Sequence, residues 1–161
     1  LLAILGGLAR PRRGSVSSRR GEGGIPSVAW VLQTVNVLSD RSVIDNVAVG
    51  ALGGGCRWRE ALSVARRELH RVGLGDRESV AVRVLSGGEA QRVVIARALA
   101  SSAELILADE PTGQLDARTT DEVLDILLGA HGRTIVVVTH DVSVAARCDR
   151  TLHLVDGQLV P

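Results

Sequence analysis

The sequence predicts an α/β fold: a mostly parallel sheet with flanking helices and a helical insertion. Three observations predict it. Leu105-Ile106-Leu107-Ala108 is an uninterrupted apolar run closed by two acids, Asp109 and Glu110. It is too short for an independent helix and suits a strand covered on both faces of a parallel sheet. Ile135-Val136-Val137-Val138-Thr139 repeats the pattern and ends on His140. Stretches of helical periodicity lie before and between these runs, and strands alternating with helices are the order expected of a parallel sheet.

Composition sets the frame. The chain has 161 residues, 45% hydrophobic and 23% charged, enough apolar content for one domain with a core. A net charge of +1 gives no global electrostatic case for a nucleic-acid partner. No apolar run reaches the length of a membrane span, and no signal-peptide pattern is visible. Cys56 and Cys148 lie far apart without metal-ligand spacing and read as reduced cysteines. There is no Lys, Met, Phe or Tyr, and all 19 basic residues are Arg. The missing Met is read most simply as a fragment, with a non-standard start at Leu1 as the alternative.

The elements follow in order. Leu1–Leu5 opens as an apolar helix that Gly6-Gly7 stops, with Pro11 beyond. Arg10–Gly24 is polar and glycine-rich. Its five arginines have no aromatic residues interleaved to stack on bases, so it is read as a solvated loop. Ser27–Leu32 is a strand that Gln33 ends. Ser42–Gly75 reads as helical: Val43, Val47 and Ala48 suit a short helix, and Gly53-Gly54-Gly55 a flexible connector. Trp58, Ala61, Leu62, Ala65, Leu69 and Val72 fall on one stripe at three- and four-residue spacing, with Gly73 as a stop.

Chemistry concentrates between Leu85 and Asp116. Ser86-Gly87-Gly88 is a small-residue turn opening into a helix of about twelve residues. Free backbone N–H groups and the helix dipole make such a turn an anion site, and glycine lets a phosphate approach closely. Ligands of open α/β sheets bind beyond the carboxyl ends of the strands. Asp109 and Glu110 stand at such an end, where one carboxylate can hold Mg²⁺ and the other can orient or deprotonate a water. Pro111, Gly113 and Asp116 form a turn with a further carboxylate. A helix over about Ala117–Leu128 follows, exiting at His131-Gly132. His140 stands at the same sheet edge as the two acids, Asp141 caps a short helix, and Leu152–Val160 is a hairpin turning at Asp156-Gly157.

Taken together, these stretches resemble the ATP-binding cassette (ABC) family. Leu85–Gln91 resembles its signature motif, Leu105–Glu110 its Walker B strand, Gly113–Asp116 its D-loop, Gln33 its Q-loop glutamine and His140 its H-loop histidine. The wording of Ala108–Asp116 is most similar to ATPases of lipoprotein-release and macrolide-export transporters. The resemblance implies a P-loop NTPase-like sheet in residues 1–161, with residues 42–84 an approximate helical subdomain. It implies an ATPase with ATP and Mg²⁺ as cofactors: Asp109 holding Mg²⁺ through water with Gln33 near it, Glu110 polarising the attacking water, and His140 stabilising the γ-phosphate. Ser86, Gly87 and Gly88 would bind the γ-phosphate held on a second, head-to-tail cassette, and Asp116 would communicate across that interface. It further implies a membrane permease partner met by the residues after Gln33, and a peripheral place on the cytoplasmic face of the membrane.

The chain departs from the family pattern at one point. The G-x-x-x-x-G-K-[ST] phosphate loop is not among the 161 residues, which begin just after the place where it would end. Two other readings therefore stand beside the transporter ATPase. One is a catalytically inactive cassette. The other is a chromosome-maintenance or DNA-repair ATPase, against which the compact segment between Gln33 and Ser86 speaks, since it carries no sustained heptads.

Overall fold

The computed structural model describes residues 1–17, 27–130 and 132–160. The expected loop over Arg10–Gly24 and the helix exit at His131 lie partly outside these residues. The elements run α1 (Leu2–Leu5), β1 (Val28–Val31), α2 (Val43–Gly53), α3 (Trp58–Arg71), two 3-10 turns (Gly75–Arg77 and Val82–Val84), α4 (Gly87–Ala100), β2 (Leu105–Asp109), α5 (Ala117–Leu128), β3 (Thr134–Val138), α6 (Val142–Ala145), β4 (His153–Val155) and β5 (Gln158–Val160).

Strands β1, β2 and β3 form a parallel sheet in that order, with Ala108 paired to Val31 on one side and Val137 on the other. β4 and β5 form a separate antiparallel hairpin. Asp156 and Gly157 both take left-handed backbone there (φ 48° and 78°), the conformation that a two-residue hairpin turn matching strand twist requires. Ile106, Leu107 and Ala108 of β2 are fully buried, as the apolar run predicts. β3 differs from expectation. It is half-buried with exposed ends, because among the described residues it pairs only with β2 and so stands at the edge of their sheet.

α4 is the central helix. It packs against α2, α3 and β1, and Val93, Val94, Ile95, Ala96, Ala98, Leu99 and Ala100 are all buried. Each Val, Ile or Leu so buried stabilises the fold by about 1.5–3 kcal/mol. The helix starts at Gly87, with Ser86 as its N-cap, so the two glycines form its first turn rather than a loop before it. On α3 the expected stripe is inward at Ala61, Ala65, Leu69 and Val72, but Trp58, at the first position of the helix, is 49% exposed.

Two polar groups support this core. Asn46 of α2 is fully buried and pins the backbone after β1: its amide oxygen accepts from Leu38 N–H (2.7 Å), and its amide nitrogen donates to Leu38 O and Ser42 O. Glu68 of α3, only 3% exposed, accepts from Arg67 (3.0 Å) and Arg71 (2.7 Å). Arg133, ahead of β3, closes the end of α4 by donating to Ala98 O and Ser101 O, where the helix dipole favours a cation.

Helices α2 and α4 meet at Gly50, where a Cβ would lie 2.1 Å from the carbonyl oxygen of Arg97 and 3.3 Å from Ser101 N. Both are backbone atoms and cannot swing aside. Alanine is the better helix former by about 1 kcal/mol, yet forcing a methyl into a packed contact costs about 1–3 kcal/mol, and here the overlap is severe. Gly50→Ala is therefore expected to lower unfolding stability by at least about 1 kcal/mol in urea titration. An equal or higher stability would show that the helices do not approach this closely.

Candidate functional site

The sheet register positions the site. β1, β2 and β3 are parallel and paired residue for residue, and Asp109 is opposite Val138. The chain therefore leaves all three strands at one edge, carrying Gln33, Asp109, Glu110, Thr139 and His140 there. Gln33 is exposed, two residues past the end of β1.

Glu110 is the best-anchored of these residues. Its N–H donates to Val138 O (2.9 Å), extending the β2–β3 ladder by one bond. Its φ is +46°, left-handed and unusual for a side chain of this kind, at a cost of about 1–3 kcal/mol. The turn of the backbone sends the carboxylate toward β3. Oε1 accepts from His140 N–H (2.8 Å) and meets His140 Nδ1 at 2.7 Å, while Oε2 accepts from the Thr139 hydroxyl (3.0 Å). Burial by itself would raise the carboxyl's titration. The hydrogen bonds from the His140 ring and backbone and from Thr139 outweigh it, so Glu110 titrates below its ordinary value and is ionised at neutral pH. An ionised carboxylate only accepts, so the hydrogen in the 2.7 Å contact belongs to Nδ1. The rest of the His140 side chain is 89% exposed, which leaves Nε2 free to meet a ligand.

Asp109 is half-buried, and no described residue hydrogen-bonds its carboxylate. An unclaimed carboxylate oxygen beside the strand end suits a hard divalent cation. Among the described residues there is no cluster of three or more His, Cys, Asp or Glu that could hold a metal by itself. Mg²⁺ does not need one, because it is commonly held by one or two carboxylates together with substrate phosphates and waters. The residues present fit it.

The signature turn forms a second surface. Ser86 and Glu89 make a reciprocal capping box: the serine hydroxyl accepts from Glu89 N–H (3.2 Å), and the Glu89 carboxylate accepts from Ser86 N–H (2.9 Å). That hydrogen bond from the Ser86 backbone is the main reason why Glu89 titrates below its ordinary value, and Arg77 adds to it. A Cβ on Gly87 would meet Gln114 Oε1 at 2.7 Å, and one on Gly88 would meet Gln114 O at 3.2 Å. The turn thus lies close against both glycines: a side chain at 87 would have to displace the Gln114 amide, and one at 88 would crowd the Gln114 carbonyl. Asp116 caps α5, accepting from the Thr119 hydroxyl (2.7 Å) and N–H (3.1 Å), which hold its carboxyl below the usual range. No hydrogen bond of Ser86, Gly87, Gly88 or Asp116 reaches Asp109, Glu110 or His140.

Two participants went unread in the sequence. Thr139 orients Glu110 and also accepts from Asp141 N–H (3.0 Å), joining the strand end to the start of α6. Gln91, 1% exposed on α4, donates from Nε2 to Pro111 O (3.1 Å). Little in the sequence singles it out, because α4 also carries Glu89, Arg92 and Arg97.

The comparisons with known proteins agree with this geometry. The family model described as ABC transporter matches residues 1–113. Over 99% of its length the chain is 44% identical to the macrolide export ATP-binding/permease protein MacB 1/2 of Paracoccus denitrificans, of which it spans 26%. Over 99% of its length it is 41% identical to the lipoprotein-releasing system ATP-binding protein LolD of Geobacter metallireducens, of which it spans 77%. The chain thus covers about a quarter of the macrolide exporter and about three quarters of LolD. Among solved structures, the dimeric post-hydrolysis ATP-binding cassette MJ0796, bound to ADP and Pi, superposes with a TM-score of 0.83 at 30% identity, covering 98% of this chain and 76% of that one. With the family model spanning well over half of its residues, the chain belongs to the ABC transporter family.

Proposed function

We propose that this chain is the nucleotide-hydrolysing part of an ABC transporter that powers export or membrane extraction of a substrate. One observation carries the reading. Glu110 is held ionised at the carboxyl edge of a parallel sheet by His140 and Thr139, next to the unclaimed carboxylate of Asp109. The relatives named for macrolide export and lipoprotein release support the direction of transport.

In this reading Asp109 holds Mg²⁺ through water, with Gln33 nearby. When bound there, Mg²⁺ would supply positive charge against the charge that builds up during phosphoryl transfer. Glu110 accepts a hydrogen bond from the attacking water and aligns it. His140 already commits Nδ1–H to Glu110, so it stabilises a phosphate oxygen through Nε2 only while the ring carries a second proton. Ser86 N–H is used by the capping box, which leaves the Ser86 hydroxyl proton and the first-turn N–H groups of Gly87 and Gly88 as the anion donors of the signature. These would face the γ-phosphate held by a second cassette, arranged head-to-tail, with Asp116 near the contact. A membrane permease is the proposed partner of the segment after Gln33. Among the described residues no helix is long and apolar enough to cross a membrane.

Two outcomes test this. The 161 residues include no lysine and no phosphate loop, so the chain by itself should bind Mg-ATP weakly, since charge-assisted contacts to the triphosphate are few. Calorimetry giving a micromolar dissociation constant would contradict the assignment of the missing contacts. When the chain is joined to an upstream G-x-x-x-x-G-K-[ST] segment, Glu110→Gln should keep ATP binding, lose about 10²–10⁴-fold in turnover and accumulate a dimer, because the charge opposing the γ-phosphate is gone. Asp109→Asn should instead fail to dimerise with Mg-ATP. Parent-like hydrolysis by Glu110→Gln, or a monomer with ATP bound in size-exclusion chromatography, would remove Glu110 from the role given to it.

A further inference from the structure

The turn after β2 is attached to α4 at three places. Gln114 and Leu115 press on Gly87 and Gly88, and Gln91 donates to Pro111 O, one residue beyond Glu110. Among the described residues this last contact is the only hydrogen bond between α4 and the 110–116 turn. Gln91 is an odd residue to find there. It is buried, its Nε2 is committed to Pro111, and its Oε1 has no hydrogen-bond partner among the described residues. An apolar side chain of the same length would remove that unpaired acceptor but would leave the carbonyl of buried Pro111 without its donor. The amide at this position therefore answers to the Pro111 carbonyl.

What the amide does is fix a carbonyl. Glu110 is in left-handed backbone, and the peptide planes that follow it must be oriented for its carboxylate to reach Thr139 and His140. Within the turn, Gly113 N–H donates to Glu110 O (3.2 Å) and Leu115 N–H to Thr112 O (3.0 Å). These bonds close the turn on itself but tie it to nothing else. Gln91 supplies the external restraint, from the helix whose first turn is the signature.

We propose that Gln91 is a positioning residue: through the Pro111 carbonyl it holds Glu110 in the conformation that places its carboxylate on Thr139 and His140, and so couples the signature turn to the hydrolytic carboxylate of the same chain. The inference rests on the reading of Glu110 as the group that aligns water.

The test is the backbone N–H of His140, which donates to Glu110 Oε1, followed by hydrogen exchange and proton NMR in the full 161-residue chain and in Gln91→Met, with its dependence on the carboxylate read from Glu110→Gln. Methionine keeps length and flexibility but removes the donor to Pro111 O. The expected result is faster exchange of the His140 amide in Gln91→Met, by a larger factor than for the Leu38 amide, which Asn46 holds elsewhere in the chain. A folded Gln91→Met chain whose His140 amide exchanges as in the parent would overturn the proposal. Should that variant not fold, exchange of the Gln91 side-chain amide in the parent decides: slow exchange supports the Pro111 bond, and exchange at the rate of a free amide refutes it. The exchange reads carboxylate placement whether or not ATP is hydrolysed, so its failure is distinct from a failure of Glu110→Gln to lose turnover.

Discussion

The in-register parallel pairing of three short strands is the constraint on which the rest depends. Ala108 lies between Val31 and Val137, and Asp109 opposite Val138. Slipping β3 by one residue would move Thr139 and His140 away from Glu110 and turn each side chain to the opposite face. The ladder also continues past the strands, since Glu110 N–H still finds Val138 O. That extra bond brings the backbone of Glu110 close to β3 before the chain bends away, and the left-handed residue makes the bend. Strain at this position is offset by the three hydrogen bonds its carboxylate receives.

A second constraint is the burial of α4. Its sides are taken up by α2, α3, β1 and the turn after β2, so its N-terminus can move little without disturbing the core. The glycines at 87 and 88 follow from this crowding as much as from ligand chemistry. The same is true of Gly50, where α2 crosses α4 at backbone contact. A helix start with small residues, capped by its own serine and pressed against a turn, gives the close packing, and the same arrangement would suit the anion-binding role proposed for it.

Much of this was legible because it is local. The β2 run, the Asp-Gly hairpin, the bounds of α5 and the Asp141 cap depend on neighbours in sequence, and each is found where the residues predict it. The common edge of Asp109, Glu110 and His140 was legible too, because strands that run parallel deliver their ends to one edge. What escaped reading depends on distant partners. Glu68 looks like an ordinary surface glutamate, and only the packing of α3 shows its side chain buried beneath the exposed Arg67 and Arg71. Trp58 falls on the apolar stripe of α3, but the stripe's first position extends beyond the packed surface. β3 reads as fully buried from its composition, and only the strand order reveals that it is an edge. Gln91 and Thr139 are conspicuous only once Pro111 and Glu110 have been placed beside them.

The central claim is that Glu110 stays ionised and correctly aimed because His140 donates to it through Nδ1. The tautomer of His140 tests this most directly and can be read from the nitrogen-15 shifts of its two ring nitrogens when the ring is uncharged. The account predicts a protonated Nδ1 and a bare Nε2, and predicts that Glu110→Gln weakens this preference, since the amide no longer acts as a purely accepting partner. A ring protonated on Nε2 in the parent chain would contradict it, because the 2.7 Å contact would then set a bare nitrogen against a carboxylate.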